Sequence, residues 1–203
     1  MPPATARKRP KRERHEQLLE CAFAIIRDEG ADALTLARVA ERAGVSKPIA
    51  YDHFGTREAL MIALYKRIDD RQVAALKDAL PTLEQRLETV AEAIAQAYLS
   101  CAAAVGAEWS ALSAALKGSE AMEAVKRELN GDYLALYRDA LAPFAPDIAP
   151  TELHLRCIAI LGAAERVCDD VLRGVVATAD AAAFLARLIS TVMRQHRDGE
   201  RPA

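Results

Sequence analysis

The sequence predicts an all-α chain of nine helices in two domains, a three-helix N-terminal head followed by a helical body. Three observations predict it. Alanine dominates the 203 residues, with only 9 glycines and 5% aromatics, a composition that favours helix over sheet. Apolar residues recur at steps of three and four, and no apolar–polar alternation runs long enough for a strand. Residues 35–54 read as helix, glycine turn and helix, the pattern that sets a helix in the DNA major groove.

The elements follow in order. Residues 1–11 hold Pro2, Pro3 and Pro10 and read as a disordered basic arm. A first helix is expected from about Arg12 to Glu29, with Leu18, Ala22, Ile25 and Ile26 on its apolar face and Gly30 at its end. Thr35 caps the second helix, whose buried face is Leu36, Val39, Ala40 and Ala43. Gly44 supplies the turn, and Val45 plugs the angle between the two helices. Ser46 is placed to cap the third helix, where Lys47 and Pro48 fall at first-turn positions that tolerate proline.

Thr56 caps a longer connector helix that stops at Pro81, with Leu60, Leu64 and Ile68 inward. Leu83, Leu87, Val90, Ile94, Tyr98, Cys101 and Val105 define the next helix, ended by Gly106. A short helix over 107–117 closes at Gly118, and Ser119 caps another that runs to about Leu141. Asn130-Gly131 is a candidate break within it. Thr151 is expected to cap a helix over about Glu152–Arg173, and the last covers about Asp180–Arg197. The expected organisation is an arm (1–11), a helix-turn-helix domain (12–55), a connector (56–81) and a body (82–203).

Net charge is −2, which looks poor for a DNA binder until its distribution is considered. Residues 1–14 carry Arg7, Lys8, Arg9, Lys11, Arg12 and Arg14 against Glu13 alone, a net of +5, so the remainder sums to −7. The positive end lies beside the helix-turn-helix, where phosphate binding needs it, although a solubilising tail has the same composition. On the third helix Lys47, Tyr51 and His53 are donors able to reach phosphates, and Ile49 offers an apolar contact suited to a thymine methyl.

No apolar run of eighteen residues is present and the N-terminus lacks the apolar core of a secretory signal, so a cytoplasmic protein without a membrane partner is expected. Cys21, Cys101, Cys157 and Cys168 form no C-x-x-C pair or zinc spacing and read as reduced thiols, with Cys157 and Cys168 on one helix face. None of the four histidines sits three residues after a glutamate, and H-E-x-x-H, G-x-S-x-G and phosphate-loop patterns are missing. No metal, cofactor or catalytic role is expected. A helical interaction or scaffold protein is the alternative to a DNA-binding regulator, and it leaves the 35–54 unit and the basic arm without a use.

Thr35, Val39-Ala40, Ala43-Gly44-Val45-Ser46, Tyr51, His53-Phe54, Arg57, Glu58 and Leu60 stand in one register that resembles the TetR (tetracycline-repressor-like) family of transcriptional regulators. The resemblance covers about residues 14–65. It implies that Ser46–His53 is the recognition helix, with Thr35, Lys47, Tyr51 and His53 touching phosphates or bases and Lys47, Pro48, Ile49 and Tyr51 available to bases. Pro48-Ile49 departs from the Gly-Thr common in the family, so the operator does not carry over.

The last two predicted helices carry broad apolar stripes. Leu161, Cys168 and Leu172 stand on one, and Phe184, Leu188 and Val192 on the other. A homodimer joined through a four-helix bundle would bury both and supply the two-fold symmetry of paired half-sites. The resemblance also implies a small-molecule effector in the body. Candidate pocket residues are Tyr98, Cys101, Trp109, Met122, Tyr133 and Glu165, all polar, aromatic or soft groups on apolar faces. Glu165 is either neutralised by Arg156 or Arg187, or at the stripe's edge, or set to meet a ligand's donor or cation.

Overall fold

In the computed structural model, residues 10–194 are described, with the side chains of 101–110 and 113 left out. Eight α-helices and no strands occur among them: α1 (Lys11–Glu29), α2 (Leu36–Arg42), α3 (Lys47–Phe54), α4 (Arg57–Ala79), α5 (Leu87–Ala115), α6 (Glu120–Leu141), α7 (Pro150–Leu172) and α8 (Thr178–Arg194). Short 3-10 turns at Ala31–Ala33, Leu80–Thr82 and Ala142–Phe144 link some of them. Two compact units divide the chain, Met1–Tyr65 with Ala107–Lys117, and Lys66–Gly106 with Gly118–Ala203. The division falls within α4, between Tyr65 and Lys66.

The first unit is built on the apolar faces of α1 to α4. Leu18, Ala22 and Ile25 of α1, Leu34, Val39 and Ala40, Ala50, and Leu60, Met61 and Leu64 are all withdrawn from solvent. Gly30 ends α1 at φ +87°, where a β-carbon would be strained.

The second unit has a larger core. Leu76 of α4, Val90, Ile94 and Leu99 of α5, Tyr133, Tyr137 and Leu141 of α6, Cys157, Ile160 and Leu161 of α7, and Leu185, Ile189 and Met193 of α8 form one apolar cluster. Ser119 accepts from the Met122 N–H at 3.1 Å and starts α6 directly after Gly118, whose φ is +85°.

Several expected boundaries change. The expected nine helices become eight because α5 continues through Gly106 to Ala115. A helical glycine costs only about 1 kcal/mol relative to alanine, and no capping residue follows Gly106. The stop and restart sit instead at Gly118-Ser119. Likewise α6 crosses Asn130-Gly131 unbroken, held by buried Leu129 on one side and Tyr133 and Tyr137 on the other.

The α5 pattern starts at Leu87 rather than Leu83. The Gln85 amide donates to the Leu80 and Leu83 carbonyls at 3.4 and 3.3 Å, which holds 83–86 in a non-helical path. Thr151 does not cap α7. Pro150 takes the first helical position after Ala149, a place where its missing N–H costs nothing. The last helix runs from Thr178 to Arg194, and its expected continuation lies outside the described residues.

Candidate nucleic-acid interface

The helix-turn-helix is fixed by local chemistry at each joint. The Thr35 hydroxyl accepts from the Arg38 N–H at 3.1 Å and caps α2 as expected. Gly44 adopts φ +65°, which lets the Val45 N–H reach the Ala40 carbonyl at 2.9 Å and closes the turn. From α1, the Gln17 amide donates to the Ala43 carbonyl at 3.1 Å. Arg57 clamps the other side, donating to the Leu34 and Ala31 carbonyls, both at 2.7 Å.

Ser46 occupies the N-cap position of α3, but its side chain makes no capping bond. Pro48 has removed one N–H that a cap would receive, and the Ile49 N–H already bonds the Ser46 carbonyl at 3.0 Å. The Ser46 hydroxyl therefore stays available on an exposed residue.

Ala50 and Phe54 turn α3 into the core. Lys47, Pro48, Tyr51 and Asp52 face outward, and Tyr51 keeps 51% of its surface exposed, unusual for a large aromatic with no packing need. Ile49 and His53 are half-buried on the flank. His53 lies 5.6 Å from the His15 ring, and Phe54 lies 4.9 Å from it. Desolvation, with His15 and Lys11 nearby, lowers the His53 pKa below its usual 6.5. It is therefore a neutral imidazole at pH 7, a hydrogen-bond donor and not a counter-charge for phosphate. Asp52 was not singled out from the sequence. A carboxylate beside Tyr51 repels phosphate and is suited to accept from a cytosine amino group.

Behind this face, Arg38 pairs with Glu29 at 3.0 Å and with Glu41 at 2.9 Å, and Arg42 pairs with Asp28 and Glu29. These arginines fasten α2 to the end of α1 and are committed to protein carboxylates.

The pocket candidates do not converge on one site. In the second unit, Tyr98 and Tyr133 come together with ring centroids 5.9 Å apart, whereas Met122 is buried on the first turn of α6 and belongs to no part of that core cluster. Glu165 is exposed, and neither Arg156 nor Arg187 neutralises it. Asn130 donates to it at 3.3 Å, while Arg156 pairs with Glu152 at 2.8 Å and with the Val192 carbonyl at 2.6 Å. Partial burial raises the Glu165 pKa. Cys101 and Trp109 lie outside the described side chains. An open groove of about 670 Å³ between α5 and α8 is lined by Glu88, Glu92, Gln96, Arg187, Ser190 and Arg194 and by none of the pocket candidates.

Asp69 and Gln72 were missed. Both are buried on α4 in step with Tyr65 and Leu76, and polar residues on an apolar stripe were the signal.

Two of the interface candidates are corrected. Leu161 and Cys168 are 4% and 5% exposed and belong to the chain's own core. The α7 stripe is too broad to be one face, and these two fall on its inward side with Cys157 and Ile160. The exposed apolar side chains are Leu155 and Ile158 on α7 and Phe184 on α8, with Leu172, Leu188 and Val192 half-buried.

Residues 18–64 match the sequence model of "Bacterial regulatory proteins, tetR family". The HTH-type transcriptional activator FasR of Mycolicibacterium smegmatis is 39% identical over 87 residues, 41% of this chain and 40% of that protein. The HTH-type transcriptional regulator BetI of Rhizobium meliloti is 37% identical over 76 residues, 36% of this chain and 37% of that protein. The chain thus spans well under half the length of these curated relatives in its match to them. Among solved structures, transcriptional regulator FadR from Bacillus subtilis in complex with stearoyl-CoA superposes with a TM-score of 0.71 over 89% of this chain and 98% of that one, at 15% identity. That likeness extends the shared fold across both units.

Proposed function

We propose that this chain, whose residues 18–64 match the tetR family of bacterial regulatory proteins, is a DNA-binding transcriptional regulator that acts as a homodimer and represses in an effector-dependent manner. The observation that carries this reading is the outward face of α3. Its inner side chains are fully used in the core while Ser46, Lys47, Pro48 and Tyr51 stand free beside the helix N-terminus. The positive end of the helix dipole together with the Lys47 ammonium attracts phosphate, which sets register on the duplex. Lys47, Pro48, Ile49 and Tyr51 then meet base edges, and Thr35 and His53 complete the backbone contacts.

The dimer reading rests on Leu155, Ile158 and Phe184, large apolar side chains left in water by the chain's own packing. Gly162 lies on the same exposed side of α7 and meets no atom within 4 Å of a β-carbon position, so another helix can approach closely there. A two-fold dimer reads a palindromic operator in successive major grooves. FadR of Bacillus subtilis holds stearoyl-CoA, and by analogy of fold the second unit is the effector domain here. A coupling of about 1–3 kcal/mol between effector and DNA sites changes operator affinity roughly 5–150-fold.

Selection from random duplex DNA at physiological salt tests this function. Enrichment of a palindrome, bound by the dimer mass, is expected. Folded protein that enriches no motif would overturn the regulator reading in favour of a helical interaction protein. Transcription from a promoter bearing the motif then gives the sign, and a rise on adding the protein would replace repression by activation.

A further inference from the structure

The second unit buries a carboxylate and leaves one of its oxygens unpaired. Asp69 is 5% exposed, and its Oδ2 has no hydrogen-bond partner. Such an atom is costly unless something pairs with it. Tyr133 is within hydrogen-bonding reach of Asp69, but no donor reaches its Oδ2. The Tyr133 hydroxyl donates to Gln72 Oε1 at 2.5 Å, and the Gln72 amide donates to the Tyr98 carbonyl at 3.4 Å.

Charge around Asp69 has the same sign as its own. The charged groups that raise its proton affinity are Asp70 and Asp132, with Tyr133 as a hydrogen-bonding neighbour. Glu165 adds a further carboxylate near Tyr98 and Tyr137. Three aromatic rings run beside the site. Tyr98 and Tyr133 are 5.9 Å apart, and Tyr133 and Tyr137 meet edge-on at 6.0 Å. Burial raises the pKa of the Tyr98 and Tyr137 hydroxyls, and a neutral tyrosine ring presents a negative π-face.

We propose that Asp69 and the rings of Tyr98, Tyr133 and Tyr137 form a cation-recognition site, and that the effector of this protein carries an organic ammonium group. A positive charge there completes the buried carboxylate and meets ring quadrupoles at once. An anion would face Asp69 with Asp70 and Asp132 nearby. Among the described residues no group of three or more His, Cys, Asp or Glu is arranged to hold a metal ion, which leaves an organic cation as the fitting class. This inference rests on the second unit being an effector domain.

Calorimetric titration of the full-length protein tests it, with phenyltrimethylammonium, its neutral isostere tert-butylbenzene, and benzenesulfonate as probes. The cation should bind at least about tenfold more tightly than the isostere, and the sulfonate not at all. Asp69→Asn should weaken cation binding by about tenfold or more, with its fold verified by circular dichroism. Tyr98→Leu gives a second reading, because it removes a ring face and leaves the carboxylate. Equal binding of cation and isostere, or no cation binding at millimolar concentration, overturns the site, as does an unchanged affinity in both variants. DNA binding is measured separately on the selected duplex. Sequence-selective DNA binding without cation binding sinks this inference alone. Cation binding without DNA selection supports the site and sinks the regulator reading.

Discussion

Tyr51 and Asp69 each sit in surroundings that do not suit them, one an aromatic half exposed to water and the other a carboxylate in the core. For Tyr51 the misfit points outward. Tyr51→Ala should reduce operator affinity by about tenfold, within the range expected for one base or phosphate interaction, and leave helical content unchanged. Retained affinity in a gel-shift titration would remove Tyr51 from the DNA-binding residues. For Asp69 the misfit is linked to pH. Burial, with Asp70 and Asp132 nearby, raises its pKa from 3.8 to about 7 although Tyr133 opposes the shift. The folded state therefore binds the proton more tightly than the unfolded chain does. This group's contribution is most favourable below pH 3.8 and is lost as pH rises to about 7. Asp69→Asn should accordingly gain stability relative to the parent at pH 8 compared with pH 5. Urea midpoints at the two pH values check this, and an equal difference at both would contradict the assignment.

At the scale of elements, caps decide where helices begin and apolar faces decide whether they persist. Ser119 and Gly118 separate α5 from α6, whereas Gly106 does not interrupt α5. Ser119→Ala should lower unfolding stability by about 1 kcal/mol, read from denaturant midpoints. A change below a few tenths would show that the Ser119 hydroxyl is dispensable. The contrast with Ser46 is informative. The two serines hold the same position, but Pro48 leaves Ser46 nothing to cap. A residue freed from structural duty at the end of α3 is available to a phosphate.

At the scale of the molecule, the predictions concern assembly and long-range charge. Phe184→Glu or Leu155→Glu should split the proposed dimer, because both side chains are about half exposed in the single chain and tolerate a charge there. Leu188 is a poorer probe, since it packs on the core and its replacement would confound folding with assembly. A dimer mass persisting in both variants by light scattering would place the interface elsewhere. Removing residues 1–9 takes away Arg7, Lys8 and Arg9. The slope of log affinity against log salt should become shallower by about 0.9 for each phosphate that is no longer neutralised. An unaltered slope would make the arm a bystander.

Helix identity was legible because it depends on neighbours in the chain. The Thr35 cap, the Gly44 turn and the three-and-four spacing of Val90 and Ile94 are short-range facts, and all recur in the structure. The outward set on α3 was legible for the same reason, apart from Asp52. What a stripe faces is not local. Leu161 and Cys168 look like interface residues on the helix alone, and only packing among α5 to α8 draws them into the core while leaving Leu155 and Ile158 in water. Glu165 finds Asn130, 35 positions away, instead of an arginine. Asp69 becomes a buried carboxylate with an unpaired oxygen only when α4, α5 and α6 close around it. The sequence by itself determined the helices and the helix-turn-helix, since backbone hydrogen bonds, caps and periodicity act within a few residues. Tertiary structure alone decided burial, partner choice and charge environment, because these depend on side chains brought together from distant positions.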